Sequence, residues 1–419
     1  MGNQRWILAC LVWGAVVLAN GAESPAGAVK GGIQSLNPDI SVVVDTYAHT
    51  RGGGPTITDV LSDVQGFGGC HHAGHTHADI ENGFGLKHAE LWLAATVDPY
   101  FKGWLTTGLG PEEGAEVEEA VIQATSLPAG LGLKLGRLKS EFGRINAQHS
   151  HAWDFTDGPL VNGLLFGDHG INENGAILSW LAPLPQYLVV GVEGYQGGNG
   201  HMFAYSGEGS LPRRSGPRLG VGWVKFGPEL PGRHSVLFGM SYGRGTHQEA
   251  HDGNEDGTED HWLDGDSSFW GLDAVYKFNH TAPLGHRDVT IQAEYLARRR
   301  DLAVEDHLLD PSLIGSHRVD EQDGFYVQGT YGFAPRWRAG MRWDVAGLRN
   351  TVGTPDGVFT EYPAARRESV MVDFTPTEFS RLRVEVSHGR YPLDTGRESV
   401  YEAWLQCVVS IGAHGAHSY

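Results

Sequence analysis

Residues 335–346 read PRWRAGMRWDVA. Trp337, Ala339, Met341 and Trp343, continued by Val345, share one parity, and Arg336, Arg338, Arg342 and Asp344 share the other. A period of two marks a β-strand with one apolar and one polar face. The pattern recurs. Ala89, Leu91, Leu93, Ala95 and Val97 oppose His88, Glu90 and Thr96, while Val289, Ile291, Ala293 and Tyr295 oppose Thr290, Gln292 and Glu294. Leu382, Val384 and Val386 likewise oppose Arg381, Arg383 and Glu385. Read between turn residues, this alternation predicts about sixteen strands, near residues 39–48, 86–97, 100–109, 116–127, 130–138, 172–182, 186–196, 218–227, 233–243, 268–279, 287–298, 323–333, 335–346, 368–375, 379–389 and 399–411.

The connections fall into two alternating classes. Seven are tight and contain proline: VDPYF, SLPAG, APLPQY, FGPELPGR, TAPLGH, FAPRW and FTPTEF. The others vary from a few residues to more than thirty and hold most of the glycines, histidines and acids. This is the layout of an all-β transmembrane antiparallel β-barrel of about sixteen strands, with short periplasmic turns and long external loops. Aromatics lie beside six of the seven turns, where a girdle belongs: Tyr100, Phe101, Tyr187, Phe226, Phe278, Phe333, Trp337, Phe374 and Phe379. In such a barrel lipid covers the apolar face, and closure leaves no unpaired strand edge. A soluble sandwich or propeller fits less well. Strands near ten residues are long for soluble sheets and match a tilted membrane crossing, and no blade-sized repeat appears.

The N-terminus supplies the route. Arg5, an apolar run from Ile7 to Ala19 and small residues at Gly21 and Ala22 fit a secretory signal peptide over 1–22. A short N-terminal segment, 23–38, then leads into the barrel, 39–419, and is too short to form a plug domain. Removing 1–22 takes away one arginine and no acid, which moves the formal charge from −19 to −20 and argues against nucleic acid as a partner. Two cysteines remain, Cys70 and Cys407, and nothing in their spacing indicates a disulfide.

From Ala89 to His151 the chain contains AELWLAATVDPYFKGWLTTGL and VEEAVIQATSLPAGLGLKLGRLKSEFGRIN. This block resembles the outer-membrane porins of the phosphate-selective type, in which a strand pair ends in a GR-K--FG sequence before a long third loop. With its histidine-rich loop and AHGAH tail, the chain is also similar to barrel proteins described as zinc-regulated outer-membrane receptors. The resemblance implies a sixteen-stranded pore of the bacterial outer membrane, often trimeric, with a third loop able to fold inward. Its surroundings would be membrane lipid and lipopolysaccharide. Its function would be diffusion of small hydrophilic solutes or ions, with no enzymatic activity and no required cofactor. The alternative is a metal-responsive channel that assists uptake of zinc or a similar ion.

The pore-lining candidates are Arg336, Arg338, Arg342, Asp344, Arg381, Arg383, Glu385, Glu90 and Glu294, all on the polar parity. The chain departs from the phosphate-selective pattern in having only seven lysines. GGCHHAGHTHAD in the first loop places His71, His72, His75 and His77 at spacings that suit imidazole ligation of zinc or a similar ion. His414 and His417 belong to the opposite side of the membrane. Asp252, Asn254, Asp256 and Gly257 match the start of an EF-hand loop, but its terminal acid falls on Leu263. QHSHAWD gathers His149, Ser150, His151 and Asp154, a set that suggests catalysis only if geometry joins a nucleophile to a base.

Overall fold

The computed structural model describes residues 38–412 apart from 53–56, 68–79, 81, 111–113, 168, 204, 206–210 and 252–258. The expected signal peptide, Cys70, the first-loop histidines His71, His72, His75 and His77, the start of the EF-hand-like run, and His414 and His417 lie outside the described residues.

The strands are β1 (Asp39–Arg51), β2 (Gly83–Thr96), β3 (Phe101–Gly110), β4 (Gly114–Ala124), β5 (Leu131–Lys139), β6 (Asn172–Leu181), β7 (Tyr187–Tyr195), β8 (Leu219–Gly227), β9 (His234–His251), β10 (His261–Phe278), β11 (Val289–His307), β12 (His317–Ala334), β13 (Trp337–Gly353), β14 (Phe359–Glu361), β15 (Ala365–Thr377), β16 (Ser380–Leu393) and β17 (Gly396–Gly412). Apart from β14, which β13 bypasses to pair with β15, each pairs antiparallel with its neighbours in sequence, and β1 pairs with β17 from Ser41↔Gly412 to Arg51↔Glu402, closing the ring. β14 is a three-residue strand held against β13 alone, so sixteen strands form the barrel. Every expected strand is present, and the tight and variable connections alternate as the turn chemistry predicts.

The apolar parity faces outward. Met341, Trp343, Val370, Val372, Val384 and Val386 are exposed on neighbouring strands, as a lipid-covered surface requires. At the rim of tight turns, Trp337 stacks on Phe374 at 4.6 Å and lies 6.3 Å from Phe333. The Pro99 turn is fixed by the Asp98 carboxylate, which accepts from the Tyr100 and Phe101 amides, each at 2.8 Å.

Three departures from strict alternation matter. First, β9 to β13 reach 17 to 19 residues by extending toward the loop rim. There the backbone ladder continues after the lipid-facing pattern fades, and Leu263, Leu302 and Val304 form a small buried cluster of their own. Second, Arg336 is not a strand residue. Pro335 and Arg336 form the turn, and Arg336 is exposed with a left-handed φ of 70°. Third, Val345, expected exposed on the lipid face, is buried at 2% exposure where it pairs with Phe325 of β12 and Arg366 of β15, just ahead of a β12–β13 register shift between Gln322 and Gly324.

Much of the interior is packed. Helix α1 (Ile57–Ser62) in the first loop, helix α2 (Leu160–Phe166) in the third and Met202 and Phe203 in the fourth contribute buried apolar side chains to one cluster with inward residues such as Phe269, Leu296 and Tyr326.

Candidate functional site: a loop folded into the barrel

The connection between β5 and β6, residues 140–171, is the third loop. Its entry is set by the GR-K--FG motif. Gly136 sits at φ 130°, and a Cβ there would meet the Ala120 carbonyl oxygen at 1.9 Å, so only glycine lets the strands close up. Phe142 then turns inward, with ring centroids 4.6 Å from Phe269 and 5.5 Å from Phe166. Gly143, at φ 64°, presses against the Glu294 carboxylate, which accepts the Arg144 amide at 2.9 Å. Asn146 closes the neck of the loop by bonding both the Ser140 and Ile171 carbonyls, at 2.8 and 3.1 Å, and accepting the Ile171 amide at 2.6 Å.

One flank of the loop meets the arginines of β13, β15 and β16. Arg338 is bidentate to Asp373 at 2.6 and 3.2 Å and reaches Asp154 of the loop at 2.9 Å. Arg342 bonds Asp344 at 2.9 Å and also holds the Asp157 carboxylate, which Arg367 holds from its other oxygen. Arg367 further donates to the Gly158 carbonyl at 2.6 Å. Arg381 donates to the His151 carbonyl at 2.6 Å and Arg383 to that of Trp153 at 3.0 Å. Glu385 accepts the Thr156 amide at 2.6 Å and Asp344 the Leu160 amide at 3.0 Å. Burial pushes the Asp157 carboxyl up, but Arg367 and Arg342 outweigh it and hold its pKa at about 2. Asp154 is likewise held below its ordinary range, against burial, chiefly by Arg338 and Arg383.

The other flank meets β2 and β4. His149 Nδ1 stands 3.1 Å from Glu90 Oε2 and 3.3 Å from Glu118 Oε2, while its Nε2 is 2.9 Å from Glu119 Oε2. His88 Nε2 lies 3.0 Å from Glu118 Oε1 and 3.8 Å from Glu90 Oε2, and His151 Nδ1 is 3.4 Å from Glu90 Oε2. Two β-bulges assemble this group. Between β3 and β4 the pairing runs from Thr106↔Glu119 to Thr107↔Val117, leaving Glu118 as the extra residue, so Glu118 and Glu119 both turn inward between exposed Val117 and Ala120. Between β1 and β2 it runs from Asp45↔His88 to Thr46↔Leu86. Lys87 is the extra residue there and reaches the Thr156 carbonyl inside the barrel. Burial and Lys139 push the His149 pKa down, yet the surrounding Glu118, Glu119 and Glu90 carboxylates outweigh both and hold it at about 10.

Eight of the nine pore-lining candidates therefore face inward, but they engage the third loop or one another instead of lining a bare wall. Arg336 stands apart in its turn. The histidines and acid of QHSHAWD are divided between the two flanks, with Asp154 on Arg338 and His149 among carboxylates, a division that builds no nucleophile and base pair. Sequence reasoning passed over Arg367, Asp157, Lys87, Glu118 and Glu119. The legible signal for Asp157 was the acid-rich DFTDG stretch, and for Glu118 the adjacent acids that no strict alternation places on one face.

No family model matches the chain. An uncharacterized protein of Aquifex aeolicus (strain VF5) is 33% identical over 398 residues, covering 91% of this chain and 80% of its own length. Among solved structures, the outer membrane channel DcaP of Acinetobacter baumannii matches with a TM-score of 0.53 at 15% identity, over 93% of this chain and 99% of its own. The anion-selective porin from Comamonas acidovorans matches with a TM-score of 0.51 at 12% identity, over 90% of this chain and 99% of its own. At these identities the structural likeness is one of fold: a closed barrel of the bacterial outer-membrane type.

Proposed function

Because the chain belongs to one family with the Aquifex aeolicus protein and folds as an outer-membrane barrel, we propose that it is a diffusion channel for small hydrophilic solutes or ions. The observation that carries this reading is the third loop, which lies inside the barrel and is fastened to both flanks by charged side chains. A loop so placed narrows a pore, and the charges around it tune which solutes pass. The GR-K--FG geometry supports the finer kinship with phosphate-selective porins. On the arginine flank, however, the guanidiniums of Arg338, Arg342, Arg367, Arg381 and Arg383 stand among Asp154, Asp157, Asp344, Asp373 and Glu385, so strong anion preference is not part of the proposal.

The lipid-facing wall would be surrounded by membrane lipid and lipopolysaccharide. A trimer is supported by the low wall of β3 to β8, whose strands have 9 to 11 residues and expose Ile122, Leu135, Leu178 and Val192. Mass measurement in mild detergent checks it. Planar-bilayer recording of the purified protein tests the channel. Discrete conductance steps are expected, and Asp157→Asn, which loosens the loop, should enlarge them. A folded barrel that yields no steps in either form overturns the reading. The second reading, a channel responsive to zinc, is favoured by the lumenal group of histidines and carboxylates on β2, β4 and the third loop.

A further inference from the structure

We propose that Glu90, Glu118, His88 and His149, with His151 beside them, form a binding site inside the barrel for a borderline divalent transition metal such as zinc. The site lies where the third loop meets β2 and β4 and uses none of the first-loop histidines. It goes beyond the channel reading and holds whether or not the barrel conducts.

Four observations carry it. The first is spacing. One ligand atom each from His88, Glu90 and Glu118 lies within 4.8 Å of the others. The contacts from Glu90 to His149 and His151, and from Glu118 to His149 and His88, are 3.1, 3.4, 3.3 and 3.0 Å. Ligands around a tetrahedral ion with bonds near 2.0–2.1 Å are separated by about 3.3 Å. The second is hydrogen bonding. Glu90 is buried at 2% exposure, and neither its Oε2 nor His149 Nδ1 makes a hydrogen bond, although they face each other at 3.1 Å. They are joined as an ion pair only, and once His149 gives up its proton both atoms carry lone pairs that no hydrogen bond claims.

The third is the shell behind the ligands. His149 presents Nδ1 to Glu90 and Glu118 while Nε2 is bonded to Glu119 at 2.9 Å. A carboxylate on the far nitrogen fixes the tautomer and orientation of a metal-bound imidazole and makes it more basic. The fourth is charge and access. Glu90, Glu118 and Glu119 gather three carboxylates in one confined place, where a dication takes over the charge that protonated His149 otherwise offsets. Side-chain exposures of 22% for His88, 15% for Glu118 and 18% for His149 leave one side open for entry. Mixed imidazole and carboxylate donors suit zinc, nickel or copper better than calcium or magnesium, which prefer oxygen alone.

The test uses the full chain with His71, His72, His75, His77, His414 and His417 all replaced by alanine, so that the other histidine tracts contribute nothing. Calorimetric titration with zinc chloride alone should give one site per chain. Glu90→Gln and His149→Ala should each weaken it by more than about tenfold, and Glu119→Gln by about 10–100-fold through the imidazole it orients. Heat-shifted gel migration verifies that each variant is a folded barrel. Cobalt in place of zinc should give visible absorption bands that disappear in His149→Ala, which alters only the loop and serves if Glu90→Gln fails to fold. Absence of zinc binding in the background chain, or binding and cobalt bands unchanged in the variants, overturns the proposal.

Discussion

The two flanks of the third loop hold it by different means. On the side of β13, β15 and β16, carboxylates meet guanidiniums, whose planar fork and fixed charge give matched, directional bonds such as the bidentate Arg338–Asp373 pair at 2.6 and 3.2 Å. On the side of β2 and β4, carboxylates meet imidazoles, and Glu90 Oε2 stays within 3.1 to 3.8 Å of three of them without a hydrogen bond. The first flank is a permanent fastening. The second is held by groups that also suit the exchangeable cation proposed above, so anchoring falls to one flank and, on that proposal, binding to the other.

The largest effect is expected where the permanent fastening is broken. Asp344 is fully buried between Arg342 and Arg367 and also holds the Leu160 amide, so Asp344→Ala leaves two buried guanidiniums sharing Asp157 as their remaining carboxylate. Removing one partner of a buried pair costs about 3–5 kcal/mol. Denaturant unfolding of the detergent-solubilised barrel should register that loss, and proteolysis should open the loop near α2.

Next in size is a change on the same strand that leaves both flanks intact. Ala339→Arg places a charge on the lipid face and should cost about 2–4 kcal/mol in refolding into bilayers. At the inward neighbour, a side chain at Gly340 would need Met371 Cε, 2.7 Å away, to swing aside and would press on the Gly329 carbonyl at 3.0 Å.

On the exchangeable flank, Glu118→Gln removes a charged partner of His88 and His149 and should cost about 1.5–3 kcal/mol, less than Asp344→Ala in the same unfolding measurement. Equal losses at the two positions would erase the distinction between the flanks.

Acid sharpens the comparison further. Asp157 has a folded pKa of about 2, below its ordinary 3.8, so its contribution is present above the ordinary value and is lost as pH falls through about 2. Conductance steps should therefore be the same at pH 7 and pH 4 and enlarge only nearer pH 2. The smallest effect is expected from converting Arg338, Arg381 and Arg383 to glutamine together. The carboxylates left behind should move the reversal potential toward cations at low salt, where screening is weakest. An unmoved potential would place these arginines off the permeation path.

The sequence by itself determined the barrel. Alternation in segments such as Ala89–Val97 and Trp337–Trp343 states which side of each strand meets lipid, and proline turns alternating with variable loops state the strand count and order. These signals are local, because each strand answers to the bilayer and its two neighbours. The GR-K--FG motif was legible for the same reason, since Gly136 is demanded by the Ala120 carbonyl of the neighbouring strand and Gly143 by its own positive φ. What only the tertiary structure decided was the meeting of Asp157 with Arg342 and Arg367, and of His149 with Glu90, Glu118 and Glu119. These partners are separated by about 30 to 210 residues and join only when closure brings distant strands around one loop. The bulges at Lys87 and Glu118 were hidden as well, because a single extra residue reverses parity without changing composition, and its position is fixed by pairing with a neighbouring strand.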